Sequence, residues 1–294
     1  MNKRIIEALS RKPSEYRTGK LTRLLEALRQ FEHEKGEPTM GFLYCLNVGC
    51  ADATVIVTNS ATFLVDCHGI DGHSSLVPAS KRLRGVFITH QHEDHYSGLT
   101  YLKDYGYSID CLIYSPYERR HADNSVTIEE WNEFNALRDY FKNKGTSIHA
   151  PYRQSSFSTA FWETDGAKFE IIGPAESVAK SDTREIHDAS LVVKAYLGNR
   201  ICLFAGDASD ASLEYIANNT TNYCNDILRA SHHGSLNGAH LGFVKKCNAK
   251  YTLISTKSGV YENVPHPTAL SRYKENTAHD VRRTDVDGTW KWNF

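Results

Sequence analysis

The segment His90-Gln91-His92-Glu93-Asp94-His95 places four potential metal ligands within six positions. Imidazole nitrogens and carboxylate oxygens suit Zn2+ or Mn2+, and no cysteine stands among them to favour a softer metal. A short apolar run over 85–89 precedes the segment and reads as a buried strand, so the ligands fall on a loop at a strand end. In an extended loop His90 and His92 project the same way, while Asp94 and His95 must turn toward the next helix. Two pairs of ligands suit two adjacent ions. Such ions lie about 3.5–4 Å apart, share a hydroxide, and lower the pKa of bound water from ~15.7 toward ~7. The plainer reading, polar loop residues facing water, leaves this density of ligands unexplained.

The elements that must hold these residues follow from hydropathy. Strands are expected over 41–48, 53–58, 61–66, 85–89, 111–115, 168–172, 190–197, 200–205, 227–230 and 251–255. Helical stretches are expected from 99 and over 128–144. Two final strands are expected around residues 285–288, where Asp287-Gly288 is a hairpin-turn signal. Interleaved strands and helices imply an α/β protein with sheets packed between helices, without repeats and without a linker to a second domain.

Residues 1–38 differ in texture. Leu21, Leu24, Leu25, Leu28 and Phe31 recur at helical spacing until Glu37-Pro38 ends the pattern. The division expected is a helical extension over 1–38 and a catalytic domain over 39–294. The extension either caps the core or docks a protein partner or a second copy of the chain.

With 34 basic and 35 acidic residues in 294, the formal charge is −1, which gives no bulk attraction to nucleic acid or anionic membrane. No apolar run approaches the ~18 residues of a membrane span, and no apolar segment follows the basic start as in a secretory signal. The seven cysteines are odd in number and contain no C-x-x-C pair, which reads as free thiols in a reducing cytoplasm.

The H-x-H-x-D-H pattern resembles the signature of the metallo-β-lactamase superfamily, and the resemblance runs over most of residues 41–294. Asp66, ending Thr62-Phe63-Leu64-Val65-Asp66, is similar to the family's first motif, where an Asp orients a ligand or the bound water. Asp207, in Leu203-Phe204-Ala205-Gly206-Asp207-Ala208, is similar to the motif whose carboxylate bridges the metals. His187, before a strand, matches the third motif. Either His232 or His233 supplies the last ligand; His233 aligns better, which leaves His232 facing the substrate. The fold implied is an αβ/βα sandwich of two mixed β-sheets flanked by helices. The ligands implied are His90, His92 and His187 on one metal, Asp94, His95 and His233 on the other, and Asp207 on both.

A finer resemblance is to the hydrolase domain of the ComEC/Rec2 competence proteins and their stand-alone relatives. It rests on Asn47-Val48-Gly49-Cys50-Ala51-Asp52-Ala53, Asp188-Ala189-Ser190-Leu191-Val192-Val193, Ala230-Ser231-His232-His233-Gly234-Ser235, Pro265-His266-Pro267 and Arg283-Thr284-Asp285-Val286-Asp287-Gly288. Asn47 and Cys50 stand where Asp and Gln are usual, and His187 where relatives often carry Asn. The membrane-channel part of the competence proteins is missing, so DNA uptake is not implied. The resemblance implies a phosphodiesterase or nuclease acting on a nucleic acid or nucleotide, with a phosphocholine-type ester as a further candidate. Catalytic roles then fall to Asp66, Asp94, His232 and His266, with Gly234 and Ser235 opening a helix whose N–H groups receive an anion. Two other readings stay open: a hydrolase of an amide, lactone or non-phosphate ester, and a catalytically silent subunit docked through residues 1–38.

Overall fold

A computed structural model describes residues 40–120, 123–153, 162–164 and 166–294. The helical extension expected over 1–38, with its partner-docking role, lies outside the described residues. In chain order the strands are β1 (Gly41–Cys45), β2 (Ala53–Thr58), β3 (Thr62–Cys67), β4 (Arg82–Leu83), β5 (Gly85–Ile88), β6 (Ser108–Ile109), β7 (Cys111–Tyr114), β8 (Ser147–His149), β9 (Glu163–Thr164), β10 (Ala167–Gly173), β11 (Val192–Leu197), β12 (Arg200–Phe204), β13 (Ile227–Arg229), β14 (Tyr251–Ile254), β15 (Asp280–Arg283) and β16 (Trp290–Asn293). The main helices are α1 (Glu93–Tyr96), α2 (Gly98–Asp104), α3 (Ile128–Asn143), α4 (Asp210–Asn219), α5 (Leu241–Cys247) and α6 (Pro267–Asn276).

Two seven-stranded mixed sheets form, ordered β16-β1-β2-β3-β5-β7-β8 and β15-β14-β13-β12-β11-β10-β9. Successive side chains on a strand face opposite sides, and the sequence exploits this on both faces. Phe63 and Val65 of β3 and Phe87 of β5 join Phe169, Val193 and Phe204 in the core between the sheets. Phe169 lies 4.7 Å from Phe63 and 4.9 Å from Phe87, ring centre to ring centre. The alternate residues Leu64, Val86 and Ile88 pack outward against Leu99 and Leu102 of α2 and Phe134, Leu137 and Phe141 of α3. On the far side Leu203 and Leu228 meet Leu213 and Ile216 of α4, Phe243 of α5 and Tyr273 of α6. The layers are therefore helix, sheet, sheet, helix: the metallo-β-lactamase fold.

The main predicted strands form within a few residues of their expected ends. The hairpin expected at Asp287-Gly288 does not form. Residues Thr284–Asp287 make one helical turn, held by Arg283 N donating to the Asp287 carboxylate at 2.8 Å. β15 before it pairs in parallel with β14, while β16 after it pairs antiparallel with β1 in the opposite sheet. Among the described residues no helix is long and apolar enough to cross a membrane.

Candidate metal centre

The fold brings the ends of five strands to one edge of the sandwich. β3 and β5 run parallel, so Asp66 near the end of β3 sits beside Thr89 and His90 just past β5. In the second sheet β11 is antiparallel to β12, and β12 is parallel to β13. His187 before β11, Asp207 after β12 and the His232-His233 pair after β13 therefore emerge at one end. Leu191 N donates to Thr89 O at 2.8 Å and ties the two sheets together there.

Two sets of side chains adjoin. His90, His92 and His187 form one, and Asp94, His95 and His233 the other; within each, the candidate ligand atoms lie within 4.8 Å of one another. Asp207 stands between the sets, with its carboxylate 3.9 Å from His90 Nε2, 3.4 Å from His95 Nε2 and 3.6 Å from His233 Nε2. Asp94 reaches His233 Nε2 at 3.3 Å and His95 Nε2 at 3.9 Å.

Each ring's inward nitrogen is selected by what its outer nitrogen must do. His92 Nε2 donates to Ser125 O at 2.7 Å, His233 Nδ1 to Ser255 O at 3.0 Å, and His95 Nδ1 to Asp66 at 2.9 Å. Thr89 spends its hydroxyl proton on Asp66, so its oxygen accepts from His90 Nδ1 at 3.3 Å. The neutral rings thus turn lone pairs inward, and those of His90 Nε2 and His92 Nδ1 face each other at 3.0 Å. Two facing lone pairs repel unless a cation is shared. His95 Nε2, His187 Nε2, His233 Nε2 and Asp207 Oδ1 are also buried without any hydrogen-bond partner. Orphaned buried polar atoms are costly, and here they converge. An all-nitrogen-and-oxygen donor set of this kind fits a pair of divalent ions.

Electrostatics divide the rings into two that stay neutral and two that take up protons when no cation is bound. Burial, reinforced by charge on His95, holds His90 well below the ordinary imidazole range. Burial and then His232 take His187 down to about 3. Burial opposes charge on His95 and His233 as well, but there the carboxylates outweigh it: Asp207, Asp66 and Asp94 raise His95, and Asp207 and Asp94 bring His233 to about 9. Burial likewise works against Asp207, yet His233, His95 and His232 keep it ionised. The site is a buried anionic cluster that demands positive charge.

Adjacent residues normally point to opposite sides of an extended chain. His232 and His233 both reach the site because His232, His233 and Gly234 are consecutive left-handed residues, with φ of 52°, 53° and 81°. Two non-glycine residues held there store strain of about 1 kcal/mol or more each. His233 is 4% exposed beside His95, whereas His232 keeps 24% of its side chain exposed and Asp94 27%, with His232 Nε2 3.7 Å from Asp207. His232 and Asp94 therefore lie on the more open side of the cluster, and His232 also falls within ligand distance of His187 and Asp207.

Several expected roles fall differently. Of the two roles expected for Asp66, its contacts serve the orienting of a ligand: it is 1% exposed and accepts from Thr89 N, Thr89 Oγ1 and His95 Nδ1. His266 is not among the residues lining the cleft. Its Nδ1 caps α6 by accepting from Thr268 N, and its backbone N–H donates to Gly234 O, supporting the turn behind His233. The helix expected from Gly234 is only a pair of three-residue 3-10 turns, too short to present an anion site.

Sequence reasoning missed Glu130, Tyr261 and Val264, which line the cleft beside Asp94 and His232. Glu130 carries a signal in retrospect: Thr127-x-x-Glu130 is a capping box, and its Oε1 also accepts from Glu93 N at 3.2 Å. Asp52, in the 47–53 stretch, carries no role that its sequence context reveals. Beneath the site it forms a buried pair with Arg229 at 2.7 Å, and its N–H holds Asp94 O at 3.0 Å.

The family profile of the metallo-beta-lactamase superfamily matches residues 47–123, which include the His90–His95 segment. No curated protein sequence matches the chain. Among solved structures, the metallo-beta-lactamase fold protein YhfI from Bacillus subtilis superposes with a TM-score of 0.55 at 14% identity, covering 86% of this chain and all of that one. CmlA, a diiron β-hydroxylase from Streptomyces venezuelae, gives 0.54 at 14% identity over 94% of this chain and 60% of its own length. Tm1679, a metal-dependent hydrolase of the β-lactamase superfamily, gives 0.50 at 14% identity over 86% of this chain and 100% of its own. At these identities the likeness is one of fold.

Proposed function

We propose that this protein is a hydrolase that uses two divalent ions, Zn2+ or Mn2+, to cleave phosphodiesters. His90, His92 and His187 would hold one ion, Asp94, His95 and His233 the other, and Asp207 would reach both. The observation that carries this reading is the convergence of buried, partnerless donor atoms from both sheets on two ligand sets with Asp207 between them. When bound, such a pair supplies a nucleophile at neutral pH and Lewis acidity toward the oxygen where charge develops.

The remaining work belongs to the chain. Asp66 and the carbonyls of Ser125 and Ser255 fix the tautomers of His95, His92 and His233. Asp52 steadies the loop that carries Asp94. His232, on the open side, donates a hydrogen bond to a non-bridging phosphate oxygen as negative charge accumulates there. The phosphodiester class is supported by the ComEC/Rec2-like stretches at 47–53 and 230–235, both of which pack directly around the site.

Metal content by mass spectrometry, followed by turnover of bis-p-nitrophenyl phosphate with Zn2+ or Mn2+, tests the proposal. Two ions per chain with measurable diester hydrolysis is the expected result. Faster turnover of lactones, amides or carboxylic esters would move the protein to another hydrolase class. Bound metal without turnover of any of these would make it a silent subunit.

A further inference from the structure

The cleft over the metal centre has a volume of about 300 Å³, the small end of the range for small-molecule sites. Its wall is made by candidate ligands and His232 together with Glu130, Tyr261 and Val264. Among the described residues none of those lining it is Lys or Arg. The neighbouring depression, reached past His187, has Arg120 and Arg184 but also Asp123, Asp182 and Glu185, so among the described residues that depression offers no net positive track. Proteins that hold a nucleic-acid backbone do so by neutralising several phosphates with Lys and Arg. This wall does the reverse, since the Glu130 carboxylate repels further phosphates.

Tyr261 is 56% exposed at the mouth of the cleft, and Val260 next to it is 49% exposed. A bare aromatic face beside a catalytic cluster is a stacking platform. Glu130 uses Oε2 for Thr127 and one side of Oε1 for Glu93 N, which leaves an Oε1 lone pair for a donor.

Building on the phosphodiesterase reading, we propose that the cleft selects small phosphodiesters carrying a single nucleoside and not polynucleotides, with the base stacked on Tyr261 and its amino edge toward Glu130. The phosphate meets the metal centre and His232, and the base covers Tyr261 and Val264. Tyr261 is then the residue that sets specificity.

Calorimetric titration of the metal-loaded protein with adenosine 5′-monophosphate and with ribose 5-phosphate tests this, because the two probes share sugar and phosphate, and neither is a diester. Adenosine 5′-monophosphate is expected to bind about tenfold or more tightly, from base stacking of ~1–3 kcal/mol. Tyr261→Phe should keep that ratio and Tyr261→Ala should bring it close to one, while metal content stays unchanged in both. A ten-residue oligodeoxyadenylate should bind no more tightly than the mononucleotide at physiological salt. An unchanged ratio in Tyr261→Ala, or an oligonucleotide preferred tenfold with a steep salt dependence, overturns the inference. Hydrolysis of bis-p-nitrophenyl phosphate is scored separately. A protein that cleaves it but lacks the Tyr261-dependent ratio loses only this inference; one that shows the ratio without cleavage loses only the hydrolase reading.

Discussion

Replacing Asp66 with Asn exchanges an acceptor for a donor while leaving shape and backbone alone. Asp66 has φ 53°, a left-handed conformation that Asn tolerates as well as Asp, so the substitution adds no backbone strain. The carboxylate accepts from Thr89 N at 2.8 Å, Thr89 Oγ1 at 2.8 Å and His95 Nδ1 at 2.9 Å. An amide can satisfy only one side of this set. If its NH2 faces Thr89 N, a buried backbone donor is stranded, at about 1–3 kcal/mol of stability. If it faces His95, the imidazole proton is driven from Nδ1 to Nε2, the nitrogen that lies 3.4 Å from Asp207. His95 then turns an N–H into the site where a lone pair is needed. Losing a buttress of this kind typically costs about 10–100-fold in metal affinity, or ~1.4–2.7 kcal/mol. Chelator competition on Asp66→Asn, alongside thermal melts after EDTA treatment, separates the two outcomes. Metal affinity within threefold of the parent together with an unchanged melting temperature would refute the argument.

His232→Ala should keep both ions and lose turnover by about 10²–10³, whereas His233→Ala should lose an ion; metal stoichiometry and kinetics on both variants check this, and metal loss from His232→Ala would exchange the roles. Gly206→Ala should destabilise by several kcal/mol in chemical denaturation, because a Cβ there would lie 2.5 Å from Thr89 Cβ and 2.7 Å from Ser190 Oγ on a residue with φ 50°; a loss below about 1 kcal/mol would be incompatible with that crowding. Stability of the EDTA-treated protein should fall as pH rises from about 6.5 to 9. His233 is raised to about 9 in the fold, so its contribution of roughly 3 kcal/mol is complete below the unfolded value near 6.5 and is lost as pH passes 9. Metal-loaded protein should show the opposite slope, since ions and protons compete for the same nitrogens, and equal slopes in the two forms would count against this site.

The sequence made the metal centre legible because its ligands are chemically conspicuous and four of them are local. His187, Asp207 and His233 required the family pattern, since nothing near them in the chain says that three strand ends converge. Helices α4, α5 and α6 went unread: α4 and α5 are short, and α6 begins with a proline that elsewhere ends helices. The Asp287-Gly288 signal is genuine turn chemistry, but a turn does not specify which sheet receives the next strand; that is decided by Trp292 entering the inter-sheet core. Tyr261 and Glu130 gave no signal of function, because an exposed tyrosine and a helix-capping glutamate acquire a role only from what the fold places opposite them.

β1 pairs with β16 across nearly the whole described chain, with Gly41 and Phe294 exchanging both backbone hydrogen bonds at 3.1 Å. During synthesis, that edge of the first sheet has no partner among the described residues until residues 290–293 leave the ribosome. Until then β1 offers a free row of N–H and C=O groups to any passing strand, including the same segment of another nascent chain. Closing so long a loop also makes this pairing one of the slowest steps in folding. Yield in expression should therefore respond to chaperone supply and to slower synthesis at lower temperature, and mutations in β16 should change the fraction recovered in inclusion bodies more than the chemistry of the protein that does fold.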